Sequence, residues 1–518
     1  MKLTQSKIWL CLFLPISSTF STAYAAPSSS YFDASKNRIQ QLFAPQSATA
    51  NQVNLQQFKQ FPLDIQSLQE LLPVVTSTAQ NTGHSTTNAA TVGYVAELGL
   101  QDAIQQALQR RPEITRSIAT LAGQAANIDA AKAQYYPQIS GGISTADLTT
   151  GERGRQLYSL SATQVLYDFG KIKSAVNIEQ AKLLEEQANV LVSIDDIAYQ
   201  TANAIVNINR YREIVKIAHQ QIQGIARIAE IANLRAQAGI SSQADPVQAQ
   251  SNVEAAQSNL LVQESQLKQY QQTLRTLLGY DVSNIQLSLP DTVIRHAGLY
   301  EEPSFSQIPK MMAAQAAVQV AQYQSQETKR SVYPSIYVKG SLNQALNGKN
   351  PNNNEDDGMY SSVMLEANSN FFQGGALRAK QRSAAYAEQA AKAEVQSVYL
   401  DVLDQIRLIR EQIDNKQKQM EVLALRKNTT ARTKELYQEQ YKLGTRTVVD
   451  LLNSEQAIHS AAQEIETARY DIYAGLIQYI HVTGRSRDLY QLNNTKIQGV
   501  EIQPWVPLCT TSLGYKPF

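Results

Sequence analysis

The sequence predicts a mainly α chain of the α+β class. It has two duplicated units, each of long coiled-coil helices plus a β-hairpin, and is complete only as an oligomer. Three observations predict this. Landmarks repeat at one long spacing. Two proline-free stretches carry narrow apolar stripes at helical steps. Segments ahead of each stretch alternate apolar and polar residues at period two.

The repeat comes first. Gly239 and Gly444, like Asp245 and Asp450, are separated by 205 positions (444 − 239, 450 − 245). The same shift carries Leu278-Gly279 onto Thr483-Gly484 and Leu166-Tyr167-Asp168-Phe169-Gly170 onto Phe371-Phe372-Gln373-Gly374-Gly375. Tyr136-Pro137 meets Tyr333-Pro334 at a shift of 197 (333 − 136), and the Asn- and Gly-rich run 347–354 supplies the missing positions as a surface loop. A period this long excludes a short-repeat solenoid. The organisation is a signal peptide (1–25), a low-complexity segment (26–95), unit one (96–280), a linker (281–304), unit two (305–485) and a tail (486–518).

The elements follow in order. Lys2 and Lys7 precede the apolar run from Ile8 to Ile16, and Ala23-Tyr24-Ala25 is a small-x-small site, so cleavage is expected after Ala25. That leaves Cys509 as the one cysteine, which cannot form an intrachain disulfide. Residues 26–95 are rich in Ser, Thr, Gln, Asn and Ala, with a short helix expected over Ile65 to Leu72. Each unit then reads helix, strand, loop, strand, very long helix, turn, shorter helix. The first helix starts near Leu98, carries Leu100, Ala103, Ile104, Ala107 and Leu108 at helical spacing, and ends before Pro137. The long helices are expected over Ile172 to Ala238 and Ala376 to Lys442, each roughly 100 Å. Their stripes, Ile194, Ile197, Ile205, Ile208, Val215 and Ile222 in one and Val402, Ile406, Ile409, Ile413, Met420 and Leu423 in the other, suit coiled-coil packing.

The strands change the period. Ile139, Gly141 and Ile143 alternate with Gln138, Ser140 and Ser144, and Ile336, Val338 and Leu342 alternate with Ser335, Lys339 and Asn343. Return strands follow at about Arg155 to Tyr167 and Met359 to Phe372. Their ends are aromatic: Tyr136, Tyr167, Tyr333, Phe371 and Phe372. An aromatic girdle fits a membrane barrel, and soluble hairpins packed on the helices fit the alternation equally well. Four strands cannot close a barrel, for which about eight are needed, so a membrane reading requires several chains. No later segment is apolar for long enough to be a transmembrane helix.

The helix turns carry the candidate site. Gly239 and Gly444 permit the left-handed conformation that ends a helix. Asp245-Pro246 fits an N-cap followed by a first-turn proline, and Asp450 is placed to favour a helix N-terminus. Charge is balanced, with 46 basic and 45 acidic residues, which disfavours nucleic acid as a partner. The five histidines lack metal-ligand spacing and no nucleophile motif stands out, so no enzyme, metal or cofactor is expected.

With these residues in place, the stretch from Leu98 to Gly484 resembles the TolC-like outer-membrane efflux protein family. The opening helix Leu98-Gly99-Leu100-Gln101-Asp102-Ala103-Ile104 through Arg111-Pro112-Glu113 carries the likeness. So do Gln164-Val165-Leu166-Tyr167-Asp168-Phe169-Gly170-Lys171 and Tyr441-Lys442-Leu443-Gly444-Thr445-Arg446-Thr447-Val448-Val449-Asp450. The resemblance implies a homotrimer with a shared twelve-stranded β-barrel in the outer membrane, continued by an α-helical periplasmic tunnel. It implies a periplasmic adaptor (membrane fusion) protein and an inner-membrane ABC or RND-type pump as partners. It carries a gate onto Asp245, Tyr441 and Arg446 as a latch, and onto Asp450 as one of two acidic rings. The second ring's position is Asn453, which halves the ring charge, and Ala244 replaces a polar latch partner. The turns Gly239, Ile240, Ser241, Ser242 and Leu443, Gly444, Thr445 are the expected adaptor contacts. Passive exit for proteins in type I secretion is the favoured function, because the signal lacks the lipidation cysteine of many drug-efflux members. Multidrug efflux is the alternative. A periplasmic adaptor would carry one helical hairpin, and a coiled-coil fibre one uninterrupted run, where this chain has two of each feature.

Overall fold

The computed structural model describes residues 97–146, 155–290, 295–346, 358–369 and 372–502. The signal peptide, the 26–95 segment, the 347–354 loop, Phe371 and Cys509 lie outside the described residues.

The chain enters as a short strand, β1 (Glu97–Gly99), and two helices, α1 (Leu100–Arg110) and α2 (Pro112–Ala133). The sequence reading of one helix from Leu98 is thereby corrected. Arg111 precedes a proline, whose ring disfavours the helical region for its neighbour, and it is extended with ψ 126°. Pro112 then sits at the start of α2, where its missing N–H costs nothing. Strands β2 (Gln138–Ala146) and β3 (Arg155–Tyr167) lead into α3 (Lys171–Gln237) and α4 (Ala244–Leu278). After β4 (Gln286–Ser288) come α5 (Pro309–Arg330), β5 (Ser335–Leu346), β6 (Met359–Asn368), α6 (Ala376–Lys442) and α7 (Val448–Val482). The chain closes with α8 (Ser486–Leu489) and the small pair β7 (Lys496–Ile497) and β8 (Val500–Glu501). Helices α2 and α5 have 22 residues each, α3 and α6 have 67, and α4 and α7 have 35.

Strands β2, β3, β5 and β6 form one antiparallel sheet in that order. The register gives its two faces opposite character. Ile143 lies opposite Tyr158, Gly141 opposite Leu160, Leu160 opposite Leu342, Gly340 opposite Val363 and Val338 opposite Leu365, so one face is apolar. On the other face Ser140, Ser161, Ser341 and Ser362 stand side by side across all four strands. The outer pairs share hydroxyl hydrogen bonds, Ser140 with Ser161 and Ser341 with Ser362, both at 2.8 Å. Lys339 pairs with Glu366 on the same polar face.

The main core joins α1, α2, α3, α4, α6 and α7 with the linker and the tail, through residues such as Ile104, Ile114, Ile205, Leu274, Leu299, Ile406, Tyr479 and Ile497. The linker is fixed by a parallel pairing of β1 with β4 and by Arg410, whose Nε donates to the Leu299 carbonyl at 2.7 Å. The tail is fixed by Gln498, whose Nε2 donates to the carbonyls of Leu108 (3.0 Å) and Arg111 (2.9 Å). The Leu108 carbonyl would bond the N–H four residues on, but that residue is Pro112, so the tail supplies the missing donor where α1 breaks. The coiled-coil stripe is buried at Ile194, Ile197, Ile205 and Ile208, then shifts to Ile214, Ala218, Ile225 and Ile228. Val215 and Ile222 are only half-buried, because a seven-residue step drifts off the contact face of an α-helix by about 20° per heptad.

Candidate functional site

Both hairpin turns are built alike. The Gly239 N–H donates to the Ala236 carbonyl at 3.1 Å and the Ile240 N–H to Arg235 at 2.9 Å. The Gly444 N–H donates to Tyr441 at 3.1 Å and the Thr445 N–H to Gln440 at 3.0 Å. This paired arrangement requires a left-handed residue just past the helix, and the glycines supply it with φ of 70° and 77°. Ile240, Ser242, Leu443, Gly444 and Thr445 are exposed at the tips, and Ser241 is half-buried.

The helices leaving the turns start differently. The Thr447 hydroxyl accepts from the Asp450 N–H at 3.3 Å, and Asp450 Oδ2 accepts from the Thr447 N–H at 3.3 Å, a reciprocal capping box. Asp450 thus has the helix-start role its position suggested. The N-cap role read for Asp245 is corrected. Helix α4 starts at Ala244, whose N–H donates to the Ser242 hydroxyl at 3.1 Å, and Asp245 lies inside the first turn. The Asp245 N–H donates to the Ser242 carbonyl at 3.1 Å, so Ser242 satisfies both of the first donors.

The latch residues separate into two groups. Tyr441, 5% exposed, is buried among Ile225, Ile228, Ala249, Val253, Val448 and Leu452, a cluster that joins both hairpins. The Arg235 guanidinium lies 4.8 Å from its ring centre. Burial pushes the Tyr441 phenol above its ordinary value, Arg235 opposes the rise, and the Asp245 carboxylate adds to it. The buried phenol oxygen has no hydrogen-bond partner among the described residues. Arg446 turns to its own hairpin. Its Nε donates to Gln440 Oε1 at 2.9 Å, its guanidinium stacks 4.5 Å from the Tyr437 ring centre, and its Nη1 is 3.8 Å from Asp450 Oδ2. No Arg446–Asp245 pair forms within the chain among the described residues. Asn453 is exposed one turn beyond Asp450. The sequence reading missed Arg235, Tyr437, Gln440 and Thr447. Tyr437 lies four residues before Tyr441, a spacing that does put two residues on one helix face.

At the sheet end, Tyr136, Tyr167 and Tyr333 are exposed, and Phe372 is 86% exposed. Phe169 stacks on Tyr333 at 5.3 Å and meets Tyr167 edge-on at 4.7 Å, which ties β3 to the start of β5. Asp168 anchors α3 below them, its Oδ2 accepting from the Ile172 N–H at 2.6 Å. Among the described residues no helix is long and apolar enough to cross a membrane.

A sequence profile described as "Outer membrane efflux protein" matches residues 103–280 and 305–485. The chain is 23% identical over 414 residues to the outer membrane efflux protein BepC of Brucella suis, covering 74% of this chain and 85% of that one. It is 22% identical over 442 residues to the outer membrane protein TolC of Escherichia coli, covering 78% and 86%. A shorter match, 22% over 175 residues, reaches the alkaline protease secretion protein AprF of Pseudomonas aeruginosa, covering 33% and 36%. Among solved structures, the outer membrane protein VceC of Vibrio cholerae superposes with a TM-score of 0.64 at 18% identity, covering 74% of this chain and 96% of that one. That likeness is one of fold.

Proposed function

This chain belongs to the outer membrane efflux protein family, and on that premise we propose that it is one subunit of a trimeric exit channel. The two-faced sheet carries the reading. Its apolar face, with Ile143, Leu160, Val363 and Leu365, is exposed, as lipid contact requires. Its polar face, with the serine row and the Lys339–Glu366 pair, suits a water-filled lumen. β2 and β6 each pair on one side only among the described residues, and unpaired edges in lipid are not tolerated. Three copies joined edge to edge would close twelve strands. The equal helix lengths of the two halves support two copies of one ancestral unit.

The helical hairpins would continue the barrel as a periplasmic tunnel, handed cargo by an inner-membrane pump and a periplasmic adaptor. Type I protein secretion is the favoured use, supported by the name of the AprF relative. Efflux of small molecules is the second reading, supported by the name of BepC. Tyr441, Asp245 and Arg446 would hold the tunnel end shut, with the Arg446–Asp245 bond running between neighbouring copies. Asp450 would form one acidic ring, weakened by the neutral Asn453 beside it. In planar bilayers the mature protein should show small conductance that rises several-fold in Arg446→Ser. Unchanged conductance in that variant would move the gate elsewhere. The tips at Ser241 and Thr445 would meet the adaptor. Photo-cross-linkers placed there should capture it in cells, and capture only from mid-helix positions would refute this contact.

A further inference from the structure

Helix α7 lies against both long helices, α3 and α6. Three acids on α7 pair with the long helices, and one of them, Glu464, meets Arg426 of α6 at 3.0 Å. Asp471 bridges Arg210 of α3 at 2.7 Å and Lys416 of α6 at 2.9 Å. Glu455, about 10 Å along α7 from its start at the gate turn, is 2% exposed and pairs with Lys434 of α6 and with His459 Nε2 at 3.2 Å. Burial alone would raise its carboxyl pKa, but the bonds from His459 and Lys434 outweigh it and hold the group below its ordinary value. Glu455 is therefore a buried charge, costly to leave unpaired.

Its seat is a notch in the first hairpin. Gly224 lies inside α3, where glycine weakens a helix relative to alanine. A Cβ at that position would stand 1.7 Å from Glu455 Oε1 and 2.7 Å from its Cδ. The missing side chain is what admits the carboxylate. Glycine here trades helix propensity for a contact between hairpins, just before the Ile225–Ile228 stretch that surrounds Tyr441.

We propose that Glu455 is a positioning residue of the gate: seated against Gly224, it fixes the Asp450-bearing start of α7, and with it the turn that carries Arg446, to the first hairpin, and leaves that notch when the tunnel opens. The inference rests on the channel reading above. Two measurements on the full chain test it separately. The first is a thermal-unfolding cycle of Gly224→Ala, Glu455→Ala and the double variant. Gly224→Ala should lower the midpoint in the wild-type background and raise it when Glu455 is gone, since only its helix gain then remains. Additive shifts would overturn the tie. The second is bilayer conductance. Gly224→Ala should raise it several-fold, as Arg446→Ser does, whereas Asp471→Asn, which cuts the more distant tie, should not. If Arg446→Ser opens the channel and Gly224→Ala does not, or if Asp471→Asn opens it equally, the positioning role is overturned. Conductance absent from every variant, Arg446→Ser included, overturns the channel reading and this role with it, while the unfolding cycle still decides whether the tie exists.

Discussion

Single residues carry the sharpest energetic consequences. Asp195 of α3 is 2% exposed, close to Arg487 and Ser486 of the segment after α7. Burial pushes its pKa from 3.8 up to about 7, with Arg487 pulling it down and Asp196 pushing it up. Between those values the folded protein keeps a proton that the unfolded chain has released, so stability falls as pH rises through this window. Asp195→Asn should therefore gain on the wild type between pH 5 and pH 8, on the order of 2 kcal/mol. Thermal midpoints at the two values check this, and a difference that does not change with pH would contradict it. Residue roles were unevenly legible in the sequence. Asp450 was readable because a capping acid needs only local spacing. Glu455 was not, because its partners Lys434 and Gly224 come from other helices and no local pattern announces them.

At the scale of elements, the helices were legible almost to the residue. Ala376–Lys442 stands as read, and the first long helix begins and ends one residue earlier than its pattern suggested. Proline-free length and glycine at the C-terminus mark such a helix without tertiary help. The break at Arg111 was a local signal passed over, since the residue before proline is biased away from helix. The tail was opaque for a different reason. Gln498 matters because it reaches the carbonyls of Leu108 and Arg111, almost four hundred residues earlier. The sheet yields a face-specific prediction. Val363, 74% exposed on the apolar face, should not tolerate lysine, at a cost of about 2–4 kcal/mol if it meets lipid near mid-membrane. Ser341→Lys on the polar face should be accepted. Refolding yield into lipid vesicles separates the two, and equal yields would refute the assignment of faces.

The whole molecule is where one chain's physics is incomplete. Balanced charge, a single expected cysteine and, among the described residues, a four-stranded sheet with two open edges do not amount to a finished membrane structure. Long helices with exposed apolar residues such as Leu400, Val422 and Leu425 on α6 also lack partners among the described residues. In the sequence, a membrane reading requires several chains, because strand number and barrel closure are linked by geometry. The number three came from family resemblance. The most direct test is native mass spectrometry of the protein extracted from outer membranes in mild detergent. Three chains per particle, persisting on dilution, are what a shared twelve-stranded barrel predicts. A stable single chain in detergent would contradict it, since four strands cannot close a barrel alone.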